Sequence, residues 1–404
     1  VDDAIDNAVD SAARGDVPAF EPGLVRCKKW LKLKTRAVGF ATANKWTAVA
    51  CLASMLAGFL MSFTTTTETA STPDELPAVE PAPTFVATVR RRHEPIKPIV
   101  PFEDLDPEIV EIGKRLFHDS SLSGSGKYSC ASCHQEADQQ FQFERPIDVA
   151  GAERNPPPLI NAALNFALGW DGRYEDLESF LDCHFTKQGV MECDWDRVML
   201  VVREDPLYFR SFRLFMHEEP NPKLVRTALA TYQRSLLYVD SPFDRWLQGD
   251  ETALSVDAIA GYYLFKQLNC ISCHQGSGVG GTMVQPLGEL ISYLPSETVE
   301  KDLGLFTSSG RERDKHVFRV PALRNASLTA PYFHDGSVES LDQAIALMML
   351  HQIGIAKPNP IDIQRIKAFI NSLTGKPLEA YLAEQAETAK LVEQIEESTE
   401  TPID

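Results

Sequence analysis

Basic residues are scarce in this sequence. Lysine and arginine together number 39 against 57 aspartates and glutamates, a formal charge of −18 over 404 residues. A surface that tracks a phosphate backbone needs the opposite sign, so nucleic acid is excluded as the partner. The acidity suits a basic protein partner through electrostatic steering, and equally it suits plain solubility. Alternating strand patterns are missing too, whereas segments such as 224–239 and 340–351 carry helical apolar spacing. The length allows two or more domains with cores of their own.

Cysteine is sparse and unevenly spent. Of the eight, four fall in two short runs, CASCH at 130–134 and CISCH at 270–274. Cys-x-x-Cys-His is the attachment signature of c-type haem, with two thiols for the porphyrin vinyl groups and an imidazole placed under the iron. A zinc ribbon would set its second Cys pair roughly 15–20 residues away, and a dithiol redox centre does not call for His after both pairs. Two covalently bound haem c groups are therefore expected, on Cys130, Cys133 and His134 and on Cys270, Cys273 and His274. Cys183 and Cys193 bracket CHFTKQGVMEC; outside the cytoplasm they are expected to pair, the alternative being two free buried thiols.

Charge is absent from Trp46 to Thr67. A helix over these residues would reach roughly 33 Å, enough to cross a bilayer core. Arg26, Lys28, Lys29, Lys32, Lys34, Arg36 and Lys45 precede it and Glu68 follows, so everything after Glu68 is expected outside the cytoplasm. An uncleaved single-pass anchor is the reading; a cleaved signal is the alternative, disfavoured by the long apolar run and by Glu68 where a small residue is wanted.

The expected organisation is mainly α: a basic segment 1–45, the membrane helix or signal anchor 46–67, a Thr- and Pro-rich linker 68–101, haem domains at 102–245 and 246–378, and an acidic tail 379–404. In PFEDLDPEIVEIGKRLF, Asp106 caps a helix, Pro107 opens it, and Ile109, Ile112, Leu116 and Phe117 share a face. The pattern returns before the second run. Gly113, Leu116 and Phe117 lead into CASCHQ as Gly261, Leu264 and Phe265 lead into CISCHQ, which implies two related domains.

The stretches NPPPLINAALNFALGWDGR, SPFDRWLQGD, FRVPALRNASLTAPYFHDGS and FINSLTG, in that order around the two runs, resemble the bacterial di-haem cytochrome c peroxidases over roughly residues 102–378. The resemblance implies two unequal haems: a C-terminal one that receives electrons on His and Met ligands, and an N-terminal one where peroxide binds. The family's Met, fourteen residues after the His of PYFH (here His334), falls on Met348; Met349 beside it reads as core filler. Trp170 in WDGR matches an indole placed between the haems. Glu192 in VMECD is the nearest match to the family's acid–base Glu, and Phe180 stands where an upstream Gln is usual. A calcium ion is implied on Asn155, Thr329 and Pro331. Many relatives carry a distal His soon after the first run. Here RPIDVAGAER has none, so the first haem is expected to be open, unless His184 reaches its iron from another loop.

The resemblance thus implies a peroxidase taking electrons from a small c-type cytochrome or a cupredoxin, on the periplasmic side of a bacterial inner membrane, with a homodimer compatible. The alternatives are a di-haem enzyme that uses peroxide to oxidise a partner protein and a non-catalytic electron carrier.

Overall fold

A computed structural model describes residues 92–102, 105–134, 147–149, 152–186, 191–293 and 301–399. The basic segment 1–45, the apolar run 46–67 and the linker up to residue 91 lie outside the described residues, among which no helix is long and apolar enough to cross a membrane.

Twelve helices order the described chain: α1 Pro107–His118, α2 Cys130–Cys133, α3 Leu177–Thr186, α4 Trp195–Glu204, α5 Pro206–Phe215, α6 Pro222–Ser235, α7 Pro242–Gln248, α8 Val256–Gln267, α9 Phe306–Ser309, α10 Leu341–His351, α11 Pro360–Ser372 and α12 Leu378–Thr399. Five of them start the same way, with proline directly after a side-chain cap: Asp106-Pro107, Asp205-Pro206, Asn221-Pro222, Ser241-Pro242 and Asn359-Pro360. The cap oxygen accepts from the unpaired N–H groups of the first turn, and proline has no N–H there to leave unpaired. Strands are minor. Three antiparallel pairs of two or three residues join β1 Ile147–Val149 to β2 Ala152–Arg154, β3 Tyr238–Val239 to β6 Lys376–Pro377, and β4 Val284–Pro286 to β5 Val317–Arg319. The helical spacing noted from 224 to 239 stops short: α6 ends at Ser235, and Tyr238 and Val239 turn into a strand against Lys376 and Pro377.

The described residues belong to one compact unit with two main apolar cores. The first is built from α1, α3, α4, α5 and α6, around Leu116, Phe117, Val202, Phe212 and Leu229. The second is built from α7, α8, α10 and α11, around Phe243, Tyr262, Phe265, Met349 and Phe369. One boundary needs correction. Residues 92–101 do not belong to an extended tether: Ile96 is buried in the second core, Gly276 N donates to the Pro95 carbonyl, and the Tyr262 hydroxyl donates to Glu94 at 2.7 Å. Folded sequence therefore starts by residue 92, because the apolar Ile96 and Ile99 fill gaps that the helices leave.

The repeated glycines have a shared steric reason. A Cβ on Gly113 of α1 would lie 2.0 Å from the Ala228 carbonyl oxygen of α6, and one on Gly261 of α8 would lie 1.8 Å from that of Arg365 of α11. Each core is thus centred on a helix pair crossing at backbone contact, one helix of each pair leading into a Cys-x-x-Cys-His run. In an ordinary helix interior Gly→Ala gains about 1 kcal/mol. Here Gly113→Ala and Gly261→Ala are each expected to lose about 1–3 kcal/mol through overpacking. Denaturant midpoints measure this, and a midpoint that rises would show that the helices separate freely.

Candidate functional site

The first centre begins on α2, a single turn that places Cys130 and Cys133 on one side and ends at His134, whose N–H donates to the Cys130 carbonyl at 2.8 Å. His134 Nδ1 lies 3.1 Å from the Pro157 carbonyl oxygen. A carbonyl only accepts, so Nδ1 carries the proton and Nε2 keeps the lone pair that a metal takes. Burial, and secondarily the neighbouring His184, lower the His134 pKa to about 3, which keeps the ring neutral as ligation requires. Burial pushes the Cys130 thiol up to about 12. The three side chains open on a cavity of about 330 Å³, shared with Trp170, His184 and Glu192. Two thiols on one turn, a neutral imidazole and a largely apolar hollow fit a covalently held haem.

Trp170, Glu192 and His184 reach this cavity from separate stretches. Trp170 is buried, and its Nε1–H donates to the Asn155 carbonyl at 2.6 Å. Its own carbonyl accepts from Arg319 N at 2.8 Å on β5, so the indole's loop is tied to the second half of the chain. Glu192 is exposed at the rim and sits in the left-handed region at φ 48°. Gly124, in the loop before α2, holds that conformation. Its N–H donates to the Met191 carbonyl at 2.9 Å, and a Cβ there would meet the Glu192 carbonyl oxygen at 2.1 Å.

The pairing expected for Cys183 and Cys193 is not present: both are free thiols. Cys183 on α3 lines the first cavity together with Tyr174, while Cys193 packs on the first core and lies 3.4 Å from the Asp194 carbonyl oxygen. Backbone bonds hold the loop in their place, from Met191 N to the His184 carbonyl and from Cys193 N to that of Phe185.

The second centre repeats the first more tightly. His274 N donates to the Cys270 carbonyl at 3.0 Å, and burial lowers the imidazole pKa to about 4. Its Nδ1 is buried among the backbone of Val279, Gly280 and Pro321, with no hydrogen bond of normal geometry. On α10 the adjacent methionines part company: Met349 is buried in the second core, whereas Met348 is half-buried and outside it. Among the described residues no group of three or more His, Cys, Asp or Glu is arranged to hold a metal ion. The expected calcium donors are of another kind, and two of them meet: Asn155 Nδ2 lies 2.9 Å from the Pro331 carbonyl oxygen.

One feature escaped the sequence reading. Arg154 is buried with a fork on Asp302, Nε to Oδ2 at 2.8 Å and Nη2 to Oδ1 at 2.7 Å, while its Nη1 lies 3.2 Å from Asp171 Oδ2. Beside it His334 is buried against Phe318 at 4.2 Å between ring centroids, and neither of its ring nitrogens has a hydrogen-bond partner. The only trace in the sequence was the Asp of WDGR, since Arg154 and Asp302 lie 148 residues apart.

Two Cys-x-x-Cys-His centres, the first of them opening on a hollow that fits a covalently held haem, are the geometry of a two-centre cytochrome. The family model for di-haem cytochrome c peroxidase matches residues 107–252. The cytochrome c551 peroxidase of Nitrosomonas europaea is 35% identical over 304 residues, 72% of this chain and 86% of that protein. The cytochrome c peroxidase Ccp of Escherichia coli is 36% identical over 288 residues, 70% of this chain and 62% of that protein. Among solved structures, a MauG-like protein associated with microbial copper homeostasis aligns with a TM-score of 0.57 at 25% identity, over 69% of this chain and 93% of that one. The chain belongs to the di-haem cytochrome c peroxidase family.

The Arg154 fork makes a testable link to stability. Burial alone would raise the Asp302 carboxyl, but the hydrogen bonds and charge of Arg154 outweigh it and hold the pKa below 3.8. A depressed carboxylate contributes stability that is full above the unfolded value and is lost as pH falls through the folded one. Unfolding free energy is therefore expected to drop below about pH 4 in the native chain. Asp302→Asn should cost about 3–5 kcal/mol at neutral pH and flatten that acid limb. An acid limb of unchanged slope in the variant would show that another group sets it.

Proposed function

We propose that this chain is a cytochrome c peroxidase that reduces hydrogen peroxide to water with electrons from a small c-type cytochrome or a cupredoxin. The observation that carries the reading is the first cavity, where Cys130, Cys133 and His134 meet Trp170 and Glu192 from distant parts of the sequence. Haem c on Cys130, Cys133 and His134, and on Cys270, Cys273 and His274 with Met348, supplies the electron transfer to peroxide. The proton work falls to the protein. The Glu192 carboxylate takes the proton from the inner peroxide oxygen and returns it to the outer one, which leaves as water. Two further protons and two electrons complete the second water.

Trp170 is the relay in this reading. Its ring borders the first cavity while its backbone is bonded to β5 of the second half. Met348 suits the electron-receiving centre because Met349 is already committed to the core, and a thioether ligand raises the potential. Calcium would be held by Asn155 and the carbonyls of Thr329 and Pro331, with the Asn155 amide turned to present Oδ1; few protein oxygens plus waters suit a hard cation. The two cores support a division into two haem domains, with the boundary a few residues before the expected 245/246 because Phe243 already belongs to the second core. Covalent haem and the basic flank of residues 46–67 support an anchored chain with both haem domains on the periplasmic side.

Full-length chain carrying two haems, mixed with a reduced c-type cytochrome and peroxide, should oxidise two cytochromes per peroxide. Glu192→Gln should retain both haems and lose about 10²–10⁴-fold in kcat. No turnover before or after pre-reduction would overturn the reading. The methionines should separate by measurement: Met348→Ala lowers the midpoint potential of one haem, whereas Met349→Ala leaves both potentials in place and costs about 2–5 kcal/mol of stability.

A further inference from the structure

Among the described residues three arginines are buried, and they are not treated alike. Arg154 is forked on Asp302 and meets Asp171. Arg324 is forked on Asp244, Nη2 to Oδ1 at 2.6 Å and Nη1 to Oδ2 at 2.9 Å. Arg319, the last residue of β5, is just as buried, at 6% exposure. Its Nε donates to the Gly169 carbonyl and its Nη1 to Asn165 Oδ1, both at 3.3 Å. Neither acceptor carries a charge, and among the described residues no carboxylate pairs with this guanidinium.

A buried cation is costly unless a counter-charge replaces its lost hydration. Here burial alone acts on the side chain and lowers its pKa to about 10. The missing carboxylate must come from outside the polypeptide, and the position of Arg319 says from where. Gly281 N donates to the carbonyl of the next residue, Val320, at 2.8 Å. Asn165 Oδ1, the acceptor of Nη1, stands where a Cβ on Gly281 would lie 2.0 Å away, and Gly280 beside it closes on His274 Nδ1. The guanidinium thus lies against the loop that backs the second centre. It does not line the first cavity, where the cation is Arg154 and is already neutralised. On its other side it is 5.9 Å from the Trp170 ring centroid, and Arg319 N donates to the Trp170 carbonyl.

We propose that Arg319 is the propionate-binding residue of the second centre, taking a carboxylate of the haem held by Cys270, Cys273 and His274. The proposal rests on the reading of that run as a haem attachment site. Haem brings its own carboxylates, and burial keeps the carboxylates of a docking protein away from Arg319. A planar guanidinium takes a carboxylate through two parallel hydrogen bonds, which an ammonium cannot do. Pairing supplies the counter-charge that the chain withholds, so seating the haem and closing the protein around Arg319 favour each other. The neutralised propionate leaves the iron in less negative surroundings, which favours its ferrous state. The same side chain reaches the proposed relay at Trp170, so the residue that seats the second haem also fixes the loop carrying the indole.

The test is redox potentiometry and resonance Raman spectroscopy of the full-length chain, with haem counted as its pyridine haemochrome. Arg319→Gln should keep two haems and shift the reduction equilibrium of one of them about tenfold toward ferric, about 59 mV for one electron. That haem should be the one whose potential Met348→Ala lowers, and the other should keep its native value. The propionate bending band of the same haem should move in the Raman spectrum. Arg319→Lys keeps the charge without the fork, so its potential should stay near the native one while the band still moves; this variant carries the test if Arg319→Gln does not fold. Two haems with native potentials and native bands in the variants would overturn the proposal and leave the haem reading intact, as would a shift confined to the haem on Cys130 and Cys133. A native chain with no haem on Cys270 and Cys273 would overturn both.

Discussion

Removing a guanidinium from water costs several kcal/mol unless carboxylates replace the lost hydration in good geometry. Arg154 meets that condition with Asp302 from the second half of the chain and Asp171 from the loop that carries Trp170. Because the fork is bidentate on Asp302, it fixes direction as well as distance. The rest of the first centre follows from it. Asn155, the next residue, orients Trp170 through its carbonyl and reaches Pro331 with its amide, and Pro157 two residues on orients His134. One buried cation thus aligns the indole, the first imidazole and the segment around residue 331. The His334 ring completes the enclosure, stacked on Phe318 and edge-on to Trp170 at 6.5 Å.

Around that junction the chain uses one plan twice. A helix with a glycine at the crossing point brings a partner helix to backbone contact, and the next turns deliver Cys-x-x-Cys-His. A close crossing is favourable only if the helices are fixed end to end, and the Asp-Pro and Asn-Pro caps begin α1, α6 and α11 at defined residues. The position of each Cys-x-x-Cys-His run is therefore inherited from packing, before any haem chemistry is considered.

What could be read in the sequence was whatever is local. The runs at 130–134 and 270–274, the cap at Asp106 and the repeat of Gly113 in Gly261 all lie within a few residues of their own meaning. Residues 92–101 were misread because proline density marks extended chain without saying whether that chain is packed, and only burial of Ile96 and Ile99 decides it. The expected Cys183–Cys193 pair failed for a similar reason: spacing permits a bond, but α3 turns Cys183 to the first cavity while Cys193 packs on the first core. Arg154 with Asp302 was beyond reach, since it joins residues whose separation carries no periodic signal, and His184 beside His134 could be named only as an alternative until α3 was placed. Met348 against Met349 could be ranked by resemblance, yet the physical separation, one in the core and one beside it, needed the helix to be placed.

The two halves share a plan but not an outcome, and the difference is where function resides. Before α2 the chain inserts the longer loop whose Gly124 grips the Glu192 backbone, so that the first centre keeps an exposed carboxylate at the mouth of a cavity. The second centre has no such loop before it. Instead Gly280, at φ 129°, lets the chain pass so close that a Cβ would lie 2.2 Å from the Pro321 carbonyl oxygen and 3.2 Å from His274 Nδ1. Close backbone around an imidazole limits reorganisation when charge changes, which suits a centre that only passes electrons on. A cavity bordered by a carboxylate and a second imidazole suits the centre that, in the proposed function, admits a reactant and moves a proton. The sequence repeat describes how both centres are built; the departures from it, at Gly124, Phe180, His184 and Glu192, all gather at the first centre, which is why the proposed function puts peroxide there.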